Sequence, residues 1–253
     1  MKKRYLAVIP ARYQSSRFEG KPLAKINNKP MVVWVYEAVK RSELFDRVVV
    51  ATDDDRIAKA VEEFGGESVM TSSLLANGTQ RVAQTIEILE NKGENYDVVV
   101  NIQGDEPLIK REMIKKVVDA FADESADIVT LKKLIENPTD VEDKNVVKVV
   151  CSKDRAMYFS RSKIPCNRDI SIEKAIEEKL YYKHIGIYAY RTKALKEIVK
   201  LEESDLERVE KLEQLRWLEN GYNIIVKTTE EDTVGVDTKE DLERVIEIIN
   251  KNK

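Results

Sequence analysis

The residues best suited to chemistry near the start of the chain lie in a polar loop between Pro10 and Leu23. The loop combines three basic side chains with two serines and only one acid, Glu19. The basic residues are Arg12, Arg17 and Lys21, and the serines are Ser15 and Ser16. Such a loop can hold a polyanion, because the cations attract it and small residues let backbone amides approach its oxygens. Neither a G-x-x-x-x-G-K-[ST] nor a G-x-G-x-x-G pattern occurs, so the P-loop and the dinucleotide fingerprint are both excluded.

A second candidate site is the segment 101–107, which reads NIQGDEP. It places Asp105 after a buried β-branched strand, beside Gly104, where a glycine lets the backbone approach a ligand closely. A carboxylate there can hold a hard cation such as Mg²⁺ while substrate phosphates complete its shell. A third acid, Asp237, precedes the last helix, where the simpler interpretation is helix capping. Phosphates bound by Arg and Lys, with a metal bound by two aspartates, favour phosphoryl or nucleotidyl transfer.

The sequence lacks the residues that a zinc site or a serine hydrolase would need. Cys151 and Cys166 are the only cysteines and His184 is the only histidine, so a zinc cluster of Cys and His cannot be assembled. No Gly-x-Ser-x-Gly segment occurs, which disfavours a serine hydrolase. The 43 basic and 46 acidic side chains leave a net charge of −3, so nucleic acid is not an expected partner.

The hydropathy pattern indicates a globular chain without a membrane segment. Hydrophobic residues make up 42% of the chain, and no run approaches the roughly 18 apolar residues of a membrane span. The first apolar run, 6–9, is too short for the core of a signal peptide. We therefore expect a cytoplasmic protein whose partner is a small molecule.

The candidate loops must be positioned by the elements around them, and the first half alternates strand and helix patterns. Strands are predicted at 6–9, 47–52, 67–70, 97–103 and 127–131. Helices are predicted at 31–40, 79–90 and 110–121, with another that the acids 53–55 cap and that runs to Phe64. Strands that are apolar on both faces indicate an α/β fold with a doubly wound, mostly parallel sheet. Ligands bind such sheets at the carboxyl ends of strands, where both candidate loops lie.

The second half has a different pattern. Strands are predicted at 146–150, 181–190 and 223–227, and helices at 207–220 and 239–250, the last capped by Thr238. Helix 207–220 is predicted to turn Val209, Leu212, Leu215 and Leu218 inward. The stretch 152–180 lacks this rhythm and is interpreted as an arm outside the sheet. Because no linker or repeat divides the chain, we predict a single domain, 1–253, with this arm.

Eight segments in unbroken order resemble the 3-deoxy-manno-octulosonate (Kdo) cytidylyltransferase family, also called CMP-Kdo synthetases. They read PARYQSSRFEGKPL, VVVATDD, VMTS, NIQGDEPLI, AMYFSRSKIP, YYKHIGIYAY, KLEQLRWLENG and GVDTKEDL. The resemblance extends over nearly the whole chain. The FSRS-x-IP and HIGIY segments distinguish this family from other sugar nucleotidyltransferases.

The resemblance implies a fold of the nucleotide-sugar transferase (Rossmann-like) type with an inserted dimerisation arm. It also implies that CTP and the ulosonic acid Kdo react to give CMP-Kdo and pyrophosphate, for lipopolysaccharide biosynthesis. The anomeric hydroxyl would attack the α-phosphorus of CTP. The implied cofactor is Mg²⁺, and the implied assembly is a homodimer with a subunit contact at 160–165.

The same resemblance assigns the site residues. Arg12 and Lys21 would bind the CTP phosphates, and Asp105 and Asp237 would hold magnesium. The implied substrate-binding residues are Ala11, Ser16, Gly78, Arg81, Gln103, Arg161, His184, Tyr188, Glu213 and Gln214. Among these, His184, Glu213 and Gln214 would contact the sugar, with Gln103 and Arg81 beside it. By residue pattern alone, Glu213 and Gln214 would instead lie on the solvated face of a helix with inward leucines.

One segment departs from the family pattern, which is usually S-G-T, then Asp or Glu, then Arg. Here the segment 77–81 reads NGTQR. An acid at position 80 could hold Arg81 by a bidentate pair, whereas Gln80 offers one neutral acceptor, so we expect Arg81 to be freer to meet a substrate anion. The departure leaves open a related ulosonic acid, such as 8-amino-Kdo or a sialic-acid-like sugar.

Two further alternatives are a non-catalytic nucleotide sensor and a transferase that joins CTP to a polyol phosphate. Retention of both Asp105 and Asp237 disfavours the sensor. The arm and the His184 strand disfavour the polyol-phosphate enzyme.

Overall fold

The computed structural model describes residues 3–14 and 18–251, so Ser15, Ser16 and Arg17 lie outside the described residues. Its strands are β1 (Tyr5–Ala11), β2 (Lys25–Ile26), β3 (Lys29–Pro30), β4 (Arg47–Thr52), β5 (Ser68–Met70), β6 (Val98–Asn101), β7 (Ile128–Leu134), β8 (Lys148–Ser152), β9 (Arg155–Ser160), β10 (Tyr182–Arg191) and β11 (Ile224–Thr228). Its α-helices are α1 (Met31–Arg41), α2 (Asp55–Glu63), α3 (Gly78–Glu90), α4 (Arg111–Asp119), α5 (Pro138–Glu142), α6 (Ile172–Glu177), α7 (Thr192–Ile198), α8 (Asp205–Glu210), α9 (Gln214–Glu219) and α10 (Lys239–Lys251).

The chain forms two compact units. Unit 1 comprises Met1–Lys115 and Thr233–Lys253, and unit 2 comprises Lys116–Asp232. The last helix therefore belongs to the same unit as the first strands. The single-domain organisation inferred from the sequence stays a prediction.

Unit 1 contains a parallel sheet in the order β5-β4-β1-β6. Its strands are apolar on both faces, and Leu6–Ile9 and Val98–Val100 are completely buried. The register pairs Ala11 with Thr52 and Val8 with Asn101, so β1 extends beyond the end of β6. This unit has the parallel α/β pattern that the sequence predicts, with the candidate loops at the carboxyl ends of the strands.

Unit 2 has a mixed sheet in the order β10-β7-β11-β9-β8. Only β7 and β11 pair in parallel there, so the expectation of a mostly parallel sheet is wrong for this unit. The cause is local, because a two-residue turn at Lys153–Asp154 joins β8 to β9 and a hairpin makes its strands antiparallel. Residues 155–160 of the predicted arm are therefore part of the sheet, and the excursion begins only after Ser160.

The predicted helix 207–220 is divided into α8 and α9. Lys211 between them has a left-handed backbone with φ of 53°. In a continuous helix the Glu210 carbonyl would accept from the amide of residue 214, but here it accepts from Arg161 Nε at 2.7 Å. The break also corrects the predicted inward face, since Val209 is 78% exposed while Leu212 and Leu215 are buried.

Within the described residues, every helix is too short or too polar to cross a membrane. The longest, α3 and α10, have 13 residues each.

Candidate active site

Unit 1 contains a pocket of about 380 Å³ beside the carboxyl ends of β1 and β6. The pocket brings together eight of the site residues that the sequence suggests: Ala11, Arg12, Lys21, Gly78, Arg81, Gln103, Asp105 and Asp237. Ser16 falls outside the described residues. Residues far apart in the chain thus meet where an open parallel sheet binds its ligands.

The charges in this pocket are arranged around Lys21. Its Nζ lies 2.6 Å from Asp105 Oδ2 and 3.1 Å from Asp237 Oδ1. The Lys21 side chain is 14% exposed, whereas those of Asp105 and Asp237 are 32% and 47% exposed. One partly buried ammonium therefore joins two carboxylates that remain accessible from the pocket.

The loop before Lys21 is closed by its own backbone. The Gly20 amide donates to the Tyr13 carbonyl at 2.9 Å. Gly20 has a φ of 69°, a conformation that glycine adopts without the strain of a side chain. Lys21 then starts a short 3-10 helix, Lys21–Leu23, in which Pro22 fixes the backbone. This turn places the ammonium opposite the two aspartates.

Gly104 fixes the position of Asp105. A Cβ atom at residue 104 would lie 2.8 Å from the Pro10 carbonyl oxygen, so only glycine fits against β1. The close approach inferred from the sequence is therefore to the backbone of β1. On the other side, the Asp105 carbonyl accepts from the Val236 amide at 2.9 Å, which brings the segment of Asp237 alongside.

Asp237 is not the cap of α10. Thr238 and Asp241 form a reciprocal capping pair, in which the Asp241 amide donates to Thr238 Oγ1 at 3.2 Å and the Thr238 amide donates to Asp241 Oδ2 at 2.9 Å. This confirms the predicted cap at Thr238. The carboxylate of Asp237 is directed instead to Lys21, so the simpler interpretation of Asp237 is wrong.

The donor set fits a divalent cation only in part. Across residues 3–14 and 18–251, no group of three or more His, Cys, Asp or Glu side chains is arranged to hold a metal. Asp105 and Asp237 nevertheless supply the one or two carboxylates with which Mg²⁺ is held when substrate phosphates are its other ligands. The Lys21 ammonium between them shows that a cation fits at this point.

Arg81 is held by partners that the sequence reasoning missed. It is 3% exposed, and its guanidinium donates to Thr71 Oγ1 at 2.5 Å and to Asp53 Oδ2 at 3.0 Å. Gln80 turns away, because its Oε1 accepts from the Ala76 amide at 2.9 Å. The expectation that Gln80 leaves Arg81 freer is therefore wrong. The available signal was Asp53 itself, an acid directly after the buried strand β4.

The remaining predicted residues lie in unit 2, and two of them are on β10. His184 Nε2 lies 3.0 Å from Thr130 Oγ1, and its ring contacts those of Phe159 and Tyr188 at centroid distances of 5.2 and 5.3 Å. This enclosure lowers the pKa of His184 to about 3, because burial disfavours the imidazolium. His184 is therefore neutral and suited to exchanging hydrogen bonds.

We expect the imidazole of His184 to show no titration between about pH 5 and 8 in the folded protein. Because the unfolded chain binds this proton near pH 6.5, the contribution to stability is lost as the pH falls from about 6.5 towards 3. The chain has a single histidine, so proton NMR reports this residue alone. The urea-unfolded protein is the control, with a midpoint near 6.5. The same midpoint in the folded protein would contradict the assignment.

Glu213 and Gln214, the predicted site residues at the start of α9, are more buried than residues on a solvated helix face would be. Gln214 is 5% exposed, and Glu213 at the start of α9 has a side chain that is 24% exposed and lies 3.4 Å from Arg216. The solvated-face interpretation from the leucine pattern is therefore wrong. The guanidinium of Arg161 donates hydrogen bonds to three backbone carbonyls, those of Glu210 at 2.7 Å, Lys144 at 3.0 Å and Lys211 at 3.3 Å.

Comparison with known proteins identifies the family. A model of the cytidylyltransferase family matches residues 6–230. A 3-deoxy-manno-octulosonate cytidylyltransferase of Thermodesulfovibrio yellowstonii is 49% identical over 97% of this chain and 98% of the relative. One from Parabacteroides distasonis is 50% identical over 96% of this chain and 97% of its own. The chain belongs to the 3-deoxy-manno-octulosonate cytidylyltransferase family.

Two solved structures are similar to this chain, the first in sequence and fold and the second in fold alone. A CMP:2-keto-3-deoxy-manno-octonic acid synthetase complexed with CTP is 38% identical, with a TM-score of 0.89 over 99% of this chain and 100% of its own. A 4-diphosphocytidyl-2C-methyl-D-erythritol synthase from Anaerococcus prevotii is 14% identical, with a TM-score of 0.63 over 98% of this chain and 99% of its own. At 14% identity, this second structure shows similarity of fold alone.

Proposed function

We propose that the protein transfers CMP from CTP to Kdo, giving CMP-Kdo and pyrophosphate. The observation that carries the proposal is the Lys21 ammonium between Asp105 and Asp237 in a pocket at the ends of parallel strands. The relatives that share 49% and 50% identity over nearly the whole chain carry the name of this activity. The solved relative with a TM-score of 0.89 holds CTP.

The reaction needs positive charge around the triphosphate. The anomeric hydroxyl of the sugar attacks the α-phosphorus and loses its proton to solvent. The bond between the α-phosphorus and the oxygen that bridges it to the β-phosphorus breaks, and pyrophosphate leaves with the electron pair of that bond. Lys21 and Arg12 bind the phosphates and offset this growing charge. The backbone-closed loop and the short 3-10 helix Lys21–Leu23 fix the backbone of Lys21, so little reorganisation of the backbone is needed at the moment of reaction.

The two carboxylates have a separate role in this proposal. Asp105 and Asp237 would hold Mg²⁺, which when bound supplies Lewis-acid stabilisation of the phosphate oxygens. Their side chains are about a third and a half exposed, so a hydrated cation can reach them. Binding of the nucleotide phosphates to Lys21 would loosen its pairs with the carboxylates and free them for the cation.

The family resemblance implies that His184, Glu213 and Gln214, which lie in unit 2, contact the sugar, and it names Gln103 and Arg81 of unit 1 as residues beside it. His184 and Tyr188 supply neutral hydrogen-bonding groups from β10, and Glu213 and Gln214 supply theirs from the start of α9. Arg161 is a further substrate-binding residue that the family resemblance implies, although three backbone carbonyls already accept from its guanidinium. Use of the product in lipopolysaccharide biosynthesis and the cytoplasmic location stay predictions.

Pyrophosphate release tests the proposal directly. We expect release with CTP and Kdo in the presence of Mg²⁺, at least tenfold faster than with ATP, GTP or UTP. A panel with 8-amino-Kdo and a sialic acid decides among the ulosonic acids, since the sugar with the highest kcat/KM is the substrate. Binding of CTP without any turnover would establish a sensor and contradict the proposal. Faster release with a polyol phosphate would contradict it as well.

A homodimer is part of the proposal. In unit 2, β9 and α8 expose Met157 at 64% and Val209 at 78%, which supplies apolar surface near the segment 160–165. A twofold interface of apolar anchors with an Arg rim is a common arrangement. We expect light scattering at micromolar concentration to give twice the chain mass of 29.1 kDa. The mass of one chain would contradict the dimer.

A further inference from the structure

Arg81 is a buried cation whose counter-ion no site assignment includes. Its side chain is 4% exposed and that of Asp53 is 16% exposed, and Arg81 Nη2 lies 3.0 Å from Asp53 Oδ2. Within unit 1, Arg81 is on α3 and Asp53 follows β4. The pair therefore ties the helix beside the pocket to the carboxyl end of the sheet.

The second anchor of Arg81 is also fixed to this end of the sheet. Thr71 Oγ1 accepts from Arg81 Nη1 at 2.5 Å and donates to the Thr52 carbonyl at 3.0 Å. The Thr71 amide donates to the same carbonyl at 2.8 Å. Thr52 is paired with Ala11 of β1, which lines the pocket. The guanidinium is thus held at the ends of two neighbouring strands, β4 and β5, and β4 is paired with β1.

These anchors leave part of the guanidinium unused. An arginine has five N–H donors, and those on Nη1 and Nη2 reach Thr71, Asp53 and, at 3.5 Å, the Ser72 carbonyl. The Nε donor of Arg81 has no acceptor within residues 3–14 and 18–251. Because Arg81 lines the pocket, a ligand acceptor can complete this set.

We propose that Asp53 is a positioning residue for the nucleotide site and acts through Arg81. Its carboxylate neutralises a charge that burial would otherwise penalise, and it fixes the orientation of the guanidinium towards CTP. This inference rests on the proposed function, because it takes the pocket of unit 1 as the CTP site. It assigns Arg81 to the nucleotide because Arg81 lines the same pocket as Arg12 and Lys21, although the family resemblance places Arg81 beside the sugar. Without Asp53, Arg81 would keep one side-chain anchor and lose its counter-ion, so the guanidinium would no longer be held in one orientation.

The test is a double-mutant cycle on direct CTP binding, measured by calorimetry without sugar. Asp53→Asn keeps the shape of the side chain and removes its charge, and we expect the dissociation constant of CTP to rise about tenfold. Arg81→Gln should raise it by a similar factor. The double variant should bind CTP as Arg81→Gln does, because Asp53 has no other route to the ligand. Additive effects in the double variant would overturn the inference.

Asp54→Asn is the matched control. Asp54 is the neighbouring acid, it caps α2 by accepting from the Arg56 amide at 2.9 Å, and asparagine caps equally well. We expect this control to bind CTP as the wild type does. Asp53→Glu, which retains a carboxylate, should recover part of the lost affinity, whereas a role in stability alone predicts altered melting with unchanged CTP binding. That second result would also overturn the inference.

The cycle remains decisive if Asp53→Asn fails to fold. Asp53→Glu, which keeps a negative charge and displaces it by one methylene group, then takes the place of Asp53→Asn and should still weaken CTP binding, but only when Arg81 is present. The proposed function is judged separately, by whether the wild type forms CMP-Kdo. Wild-type CTP binding without turnover would remove the function and keep the positioning role. If the wild type forms CMP-Kdo and Asp53→Asn binds CTP as the wild type does, the proposed function is kept and the positioning role is removed. A wild type that binds no CTP would overturn both.

Discussion

Asp105→Asn and Asp237→Asn are each expected to lower kcat about a thousandfold while the protein stays folded. Each change removes one of the two carboxylates proposed to hold the divalent cation, and a barrier rise of about 4 kcal/mol corresponds to this loss. Folding should persist because both side chains are partly exposed, at 32% and 47%. In either variant Lys21 keeps one carboxylate partner, so no cation is left unpaired. The measurement is kcat at saturating CTP, Kdo and Mg²⁺, with circular dichroism as the test of folding.

Asp205→Asn is the control for a general loss of negative charge. Asp205 has a side chain that is 85% exposed and lies in unit 2, where it pairs only with the neighbouring turn through Arg208. It should retain wild-type turnover. A site variant that keeps more than about a tenth of the wild-type rate would have lost only about 1.4 kcal/mol, too little for an essential metal ligand.

The sequence was sufficient to predict the parallel half of the fold and the pocket there. Val48–Ala51 and Val98–Val100 are apolar on both faces, as expected of strands that are buried in a parallel sheet. Once these strands were placed, Asp105 had to lie at the edge of the sheet where ligands bind. The agreement at Asp105 thus follows from local pattern alone, whereas the pattern at Asp237 allowed both a metal ligand and a helix cap, and the family resemblance implied the metal ligand.

What the sequence did not reveal depends on contacts between distant segments. Asp53 and Arg81 are 28 residues apart, and no periodicity indicates that they pair. The division of α8 from α9 depends on Arg161, whose guanidinium takes the Glu210 carbonyl 49 residues away. The leucine spacing predicted a continuous helix there because it reports burial, and Leu212 in the connection and Leu215 on α9 are both buried. Tertiary hydrogen bonds overrode the local pattern in both places.

Lys21→Met should separate two effects of the Lys21 ammonium, one on catalysis and one on cation binding. Removing a positive charge aimed at the developing phosphate charge is expected to lower kcat/KM for CTP by about a hundredfold to a thousandfold. Removing the same ammonium from between Asp105 and Asp237 leaves two neighbouring carboxylates without their cation. The nucleotide-free variant should therefore bind Mg²⁺ or Mn²⁺ more tightly than the wild type, because a divalent cation no longer competes with Lys21.

The two effects have opposite signs, which makes the Lys21 variant informative beyond loss of activity. A misfolded pocket would weaken both catalysis and cation binding, so tighter binding of Mn²⁺ measured by calorimetry, alongside slower turnover, excludes that explanation. Lys25→Met, an exposed lysine on β2, is the control and should change neither quantity. If Lys21→Met binds the cation no better than the wild type, the two aspartates do not form the cation site together. The ion pairs with Lys21 would then be structural, and the assignment of magnesium to Asp105 and Asp237 would have to be withdrawn.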